Sequence, residues 1–318
     1  MKILITGGFG YLGGRLAQYL GKIFPKKDIR LLVRRNGQDI PSWAESYDIV
    51  KGDVLDDSSL PEACKDIDVI IHLAALNEIE SEKYPMNALK VNGEGTLRLL
   101  NAAIASKVDK FIYFSTFHVY GLNAHGEISE NTIPAPVHPY AITHRVAEDF
   151  VRMMVQKKKI GGIILRLSNG FGCPSHAGVN RWTLVFNDFC LQAVLRNKIV
   201  LKSAGKQYRD FITLTDISRC VEHLLKIDTD DLIYNLGGNF SISILDVANL
   251  IAERCQKVLG TTPEIIIGPD SATMPDEPII YRTDKLKSIG FQLVSNVEEE
   301  IDNTIIFCDR NKEVLNVT

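Results

Sequence analysis

The stretch KILITGGFGYLGG, Lys2 to Gly14, passes from an apolar run through a glycine-studded turn into a segment of helical period. Gly7, Gly10 and Gly13 stand at three-residue spacing directly after the strand-like Lys2–Thr6, and Leu12, Leu16, Leu20 and Phe24 then recur every four residues along one helix face. Glycines in that setting allow a tight turn and let the backbone approach a pyrophosphate, whose charge a helix N-terminus favours. A plain strand-to-helix turn would not need three of them. The spacing therefore predicts a dinucleotide site at Gly7, Gly10 and Gly13, and the intervening Phe9, Tyr11 and Leu12 are expected to join it.

Outward from this stretch, short apolar runs alternate with helical segments, the pattern of a parallel sheet flanked by helices. Further strands are expected at Ile29–Arg34, Asp48–Val50, Val69–Ala74, Lys110–Ser115 and Gly162–Leu167. Leu89, Leu97, Leu100 and Ile104 mark another helix, and Tyr140 to Lys158 a third. After Leu167 the alternation weakens: 170–178 reads as a loop, Asp246 to Val258 as a helix and Ile279–Tyr281 as a strand. The expected fold is α/β, a Rossmann-type doubly wound parallel sheet with a smaller, irregular α/β C-terminal substrate lobe. The expected domains are 1–167 with about 206–236 for the dinucleotide, and 168–205 with 237–318 for the substrate.

At 318 residues, 45% hydrophobic and 24% charged, the chain has a globular composition, and a net charge of −3 without dense basic runs points away from nucleic acid. Six scattered cysteines lack metal-ligand spacing, so neither a metal nor a disulfide is expected. No apolar run nears the ~18 residues a membrane span needs. With no leader-like start either, the expected location is the cytoplasm.

The second strand, DIRLLVRR, ends in Arg34 and Arg35 where an NAD site usually places an acidic residue for the ribose 2′-hydroxyl. A guanidinium fork suits a 2′-phosphate, so NADP(H) is favoured and NAD(H) kept as the alternative. The competing reading is an arginine that ends a strand in solvent. Asp53 in KGDVLD follows the third strand, where a carboxylate can accept from the adenine amino group, although aspartate after glycine is also ordinary turn chemistry.

The motifs TGGFGYLG, GDVLD, HLAAL, VNGEGTLRLL, FSTFHVYG, HPYAITH, LRLSNGFGC and YRDFITLTDIS, in order from residue 6 to residue 218, resemble the extended short-chain dehydrogenase/reductase family. The likeness is to its NAD(P)-dependent nucleotide-sugar epimerase, dehydratase and reductase branch. It implies a Rossmann domain, a lobe for a nucleoside-diphosphate sugar, a role in cell-surface polysaccharide biosynthesis, and a homodimer through a four-helix bundle built from helices starting near Met86 and Tyr140. It also implies that Val54, Leu73, Ala74, Ala75 and Asn92 join the cofactor site. Thr116 matches the hydroxyl that bonds the reacting sugar oxygen and Tyr140 the catalytic acid/base. Asn169 and Arg209 match positions that hold the nucleotide diphosphate, and Arg282 lies where a late arginine grips phosphate, a solvated arginine being the competing reading.

Two departures stand out. The family's lysine, four residues after the tyrosine, is His144 here. An imidazole at that spacing shares the tyrosine's face and can donate to a cofactor ribose hydroxyl, but its charge is expected to follow pH as lysine's does not. A degenerate site is the competing reading. The 4,6-dehydratases carry Asp and Glu after the threonine, where this chain has Phe117 and His118. Elimination of water is therefore not expected, and His118 is left as a hydrogen-bond donor or secondary base toward the sugar, or as a packed residue. The expected function is reduction of a 4-keto (6-deoxy) sugar at C4, with an NAD-dependent 4-epimerase and a catalytically weak NADP-binding protein as alternatives.

Overall fold

The computed structural model describes residues 1–34, 39–269 and 277–316. A seven-stranded sheet runs in the spatial order Ile233–Leu236, Gly161–Leu167, Lys110–Thr116, Val69–His72, Ile3–Thr6, Ile29–Val33 and Asp48–Lys51. Parallel ladders join the last six of these strands. Apart from the partly exposed edge strand Asp48–Lys51, their largely apolar runs follow from burial on both faces, which leaves little room for polar residues to alternate toward solvent. The chain lays its second and third strands on one side of Ile3–Thr6 and its later strands on the other. Such a reversal opens a crevice at the carboxyl ends of the central strands, where ligands of doubly wound sheets bind.

The first helix, Tyr11–Leu20, stops short of Phe24 because the chain turns at Gly21 and the Tyr47 hydroxyl donates to the Ala17 carbonyl in the last turn. The helix Pro139–Gln156 starts with proline at its first turn and His138 as N-cap, whose Nδ1 accepts from the Ala141 N–H at 3.4 Å. It is fastened mid-length by a buried fork in which Arg166 donates to both carboxylate oxygens of Glu148, at 2.9 and 2.7 Å, and to the Tyr120 hydroxyl at 3.1 Å. Glu148 also accepts from Arg145 at 3.1 Å, so its buried carboxylate is held by two guanidinium groups. Leu99, Leu100, Phe111, Ala147, Val151 and Ile164 fill the core between sheet and helices.

Contacts divide the chain into two compact units: 1–124, 130–167 and 221–235, and 125–129, 168–220 and 236–318. The boundary differs from the sequence expectation at 206–220, because Tyr208–Thr213 pairs with Asn169–Phe171 and Ser241–Ser243 in a separate three-stranded sheet. Residues 125–129 join the second unit because Glu127–Ile128 pairs with Ile280–Tyr281. The second unit is more regular than its sequence suggests. It packs helices Val185–Arg196, Ile244–Leu259 and Val297–Arg310 around Phe171, Phe186 and Phe211, whose rings stack at 4.2 Å and meet edge-on at 4.8 Å. Each such ring contributes about 1.5–3 kcal/mol by burial.

Candidate active site

Gly7 adopts φ +68°, a conformation that favours glycine, and a Cβ on Gly13 would lie 2.2 Å from the Gly7 carbonyl oxygen. The turn is thus closed to any larger residue at that contact. Gly10 caps the helix without a side chain, and the first helical turn carries no acidic residue. An anion at this helix end meets backbone N–H groups and no competing carboxylate. Phe9 is buried edge-on against Trp43, Tyr11 is also buried, and Leu12 is half-buried.

The facing loop is set by Thr6, whose hydroxyl oxygen accepts from the N–H groups of Leu73 and Ala74, both at 3.0 Å. Its hydrogen is left for His72 Nδ1 at 2.7 Å, so His72 carries its own proton on Nε2 and donates to Thr96 at 3.0 Å; Thr96 in turn donates to the Asn92 carbonyl. Burial, reinforced by His144, brings the His72 pKa down to about 3. Asn92 sits in a π turn, Leu89–Glu94, and its side chain is occupied by the Leu76 N–H at 2.8 Å and the Thr143 hydroxyl at 3.0 Å. It braces the loop that carries Ala75, which is exposed. Asp53 Oδ1 accepts from Leu55 N–H at 2.9 Å in a turn beside the buried Val54. Arg34 is exposed at the end of its strand, and Arg35 lies outside the described residues.

Thr116 ends its strand buried, its hydroxyl oxygen accepting from His118 N–H at 3.2 Å. Phe117 is half-buried against Tyr120, and His118 is exposed, with its ring 6.3 Å from that of Tyr140. Tyr140, half-buried in the first turn of its helix, lies edge-on to His144 at 4.5 Å between ring centres. His144 is 3% exposed, its Nδ1 2.6 Å from the Tyr113 hydroxyl. Burial holds the Tyr113 phenol well above the usual tyrosine range, with Glu148 and Tyr140 adding to the effect. A phenol is a better donor than a neutral imidazole, so Nδ1 accepts and the His144 proton sits on Nε2. That nitrogen is buried with no hydrogen-bond partner among the described residues.

The expectation of a His144 charge that switches near neutral pH is corrected here. Burial, opposed by Glu148 and reinforced by His118 and His138, brings its pKa down to about 4. The imidazole is neutral across the physiological range. An orphaned N–H in the interior costs about 1–3 kcal/mol, which a ligand oxygen would offset. The glycine turn and this N–H both fit a dinucleotide: the turn for its pyrophosphate, the N–H for a ribose hydroxyl.

In the second unit, Asn169 donates through Nδ2 to the Asp210 carbonyl at 2.9 Å and so braces the neighbouring strand. Burial lowers the Arg209 pKa, and no carboxylate pairs with its guanidinium among the described residues. Such a group suits a bound anion. Arg282 pairs with Glu127 at 3.0 and 3.1 Å at the surface, a structural clasp between short strands. Sequence reasoning passed over Tyr113, which only strand register brings to His144, and His138, whose position before Pro139 was the available signal.

The NAD dependent epimerase/dehydratase family profile matches residues 3–237. Over 96% of this chain and 87% of the relative, the sequence is 29% identical to a dTDP-D-glucose 4,6-dehydratase of Bos taurus. It is 28% identical to a UDP-glucose 4-epimerase of Rhizobium meliloti, over 80% of this chain and 82% of the relative. The fold matches that of UDP-glucuronic acid 4-epimerase from Bacillus cereus, solved in complex with NAD, with a TM-score of 0.82 and 24% identity over 98% of this chain and 97% of that one. No described helix is long and apolar enough to cross a membrane. The chain belongs to the NAD dependent epimerase/dehydratase family.

Proposed function

We propose that this protein reduces the 4-keto group of a nucleoside-diphosphate (6-deoxy) sugar, with NADP(H) as the favoured cofactor. The observation that carries the proposal is the neutral His144 beside Tyr140. A free phenol, with pKa ~10, holds its proton at neutral pH, and a neutral imidazole supplies no positive charge to loosen it. A proton-bearing tyrosine is a general acid, which suits delivery of a proton to a carbonyl oxygen more than removal of one from an alcohol.

In this scheme Thr116 donates a hydrogen bond to the sugar oxygen, Tyr140 gives it a proton, and the His144 Nε2–H orients the cofactor ribose. When bound, the nicotinamide supplies the hydride. By the family resemblance Arg209 is the residue assigned to the diphosphate of the sugar nucleotide, and Asn169 braces its strand. Arg34 at the strand end favours a 2′-phosphate. Phe117 and His118 offer no carboxylate to eliminate water, so 4,6-dehydration is not proposed despite the dehydratase relatives.

A 4-epimerase is the second reading, favoured by the similarity to UDP-glucose 4-epimerases. In the first unit Ile79, Met86, Leu89 and Ile142 are exposed on helical segments that pack together, an apolar surface suited to a homodimer built on these helices.

The test is to mix purified protein with NADPH and 4-keto-6-deoxy nucleotide sugars and to follow the absorbance of reduced nicotinamide. Stoichiometric loss of NADPH is expected. Tightly held cofactor that interconverts sugars without net consumption would establish the epimerase instead.

A further inference from the structure

Tyr140 is flanked by three imidazoles, and they differ in their access to water. His144 is a closed end. It is buried, its Nδ1 is taken by Tyr113, and Tyr113 is itself 3% exposed. A proton moving from Tyr140 toward His144 reaches a buried phenol and stops. The other two stand on the outer side. His138 lies parallel to Tyr140 at 6.2 Å and 10°, and His118 meets His138 at 5.2 Å and Tyr140 at 6.3 Å, edge-on to both. His118 is the exposed member.

His138 is held in one form. Its Nδ1 accepts from the Ala141 N–H as helix cap, so its proton sits on Nε2, and protonation of Nδ1 would break the cap. Burial lowers its pKa, with Glu82 and Glu78 of the helix Glu78–Lys83 opposing. From the helix Pro139–Gln156, the groups around this pair are Tyr140, the neutral His144 and, one turn further, Glu148, already forked to Arg166. With the Nδ1 of His138 spent on the helix cap, the member of the pair open to water is His118.

We propose that His118, positioned by His138, relays protons between solvent and Tyr140. The inference rests on the reductive reading, in which every turnover consumes one proton. As hydride from a dihydronicotinamide dinucleotide reaches the carbonyl carbon, the Tyr140 O–H bond breaks and its proton forms the O–H bond of the new alcohol. The His118 imidazolium then returns a proton to the phenolate and takes its replacement from water. An epimerase has no such need, since the proton removed from the sugar oxygen goes back to it.

The experiment compares wild type with His118→Gln and with His138→Asn, in which asparagine keeps a capping oxygen. His118→Gln is expected to lower kcat for keto-sugar reduction about 100-fold, to remove the imidazole limb of the kcat–pH profile, and to regain turnover when imidazole is added to the buffer. His138→Asn is expected to keep the helix and shift the midpoint of that limb. Wild-type turnover combined with an unchanged pH profile and no imidazole rescue in His118→Gln overturns the relay and leaves the reductase standing. Absence of NADPH consumption by wild type overturns the reductase. The pair is then read by NMR titration of the histidine ring protons in the protein alone. A His138 curve altered by His118→Gln supports the coupled pair, and an unaltered one overturns it.

Discussion

His72 and His144 are both buried in the first unit, at 1% and 3% exposure, and both are held neutral by burial. They differ in their second nitrogen. His72 has both ring nitrogens bonded, to Thr6 and Thr96, and so ties the end of the first strand to the helix Gly95–Ala105. His144 has one nitrogen bonded and the other buried without a partner among the described residues. Identical side chains in similar burial therefore serve as a fastener in one place and as a donor held for a ligand in the other. The satisfied nitrogen belongs to the fold and the orphaned one to the site.

The largest effect that tests this comparison is acid unfolding, where the two histidines act alike. Both pKa values are depressed in the fold, from 6.5 to about 3 for His72 and about 4 for His144. Between those values and 6.5 the unfolded chain binds more protons than the native one. Their contribution to stability is present above pH 6.5 and is lost as pH falls toward about 4 and then about 3. The loss is on the order of several kcal/mol for the pair. Urea melts across this range should show stability falling with pH, and His144→Leu should flatten the part of the slope above about pH 4. A slope unchanged by that substitution would mean that His144 is not held neutral.

The next effect separates the two. His72→Leu at neutral pH removes the acceptor for the Thr6 hydroxyl and a donor to Thr96, and should destabilise by about 2–4 kcal/mol. His144→Leu removes an N–H that has no partner in the ligand-free fold and frees only the Tyr113 hydroxyl, so it should cost about 1 kcal/mol or less. Urea midpoints in the absence of cofactor check both. Equal losses would erase the distinction between fastener and donor.

How far the sequence reveals these roles depends on the range of the interaction. The glycine turn, the parallel alternation and the Tyr140 helix are legible because their signals are local: Gly7 to Gly13 lie within two turns, and the helix announces itself by period and by Pro139. The fate of His144 is not local. Tyr113 reaches it across 31 residues because Lys110–Thr116 is paired to Gly161–Leu167 in one register, and a shift of one residue would turn the phenol to the other face of the sheet. From sequence His144 is a titratable group, and only burial makes it a neutral one. The second unit was obscure for another reason. Its strands Asn169–Phe171, Lys198–Val200, Ser241–Ser243 and Glu264–Ile266 have three residues each, too few to show a period.

The smallest effect falls on the cofactor, and there the order of the two histidines should reverse. If the His144 Nε2–H is satisfied by a ribose hydroxyl, His144→Leu forfeits one hydrogen bond that forms only on binding, worth about 0.5–1.5 kcal/mol, or roughly 2- to 10-fold in Kd. His144→Gln retains an N–H donor of similar reach and should recover part of that loss. His72→Leu, studied below its lowered denaturation midpoint, should bind NADPH with nearly unchanged affinity, because both nitrogens of His72 are spent inside the protein. Calorimetric titration with NADPH and with NADH measures all three variants. Equal weakening by His72→Leu and His144→Leu would show that both act through the shape of the loop at Leu73 and Ala74, and the orphaned nitrogen would then lose its claim to a ligand.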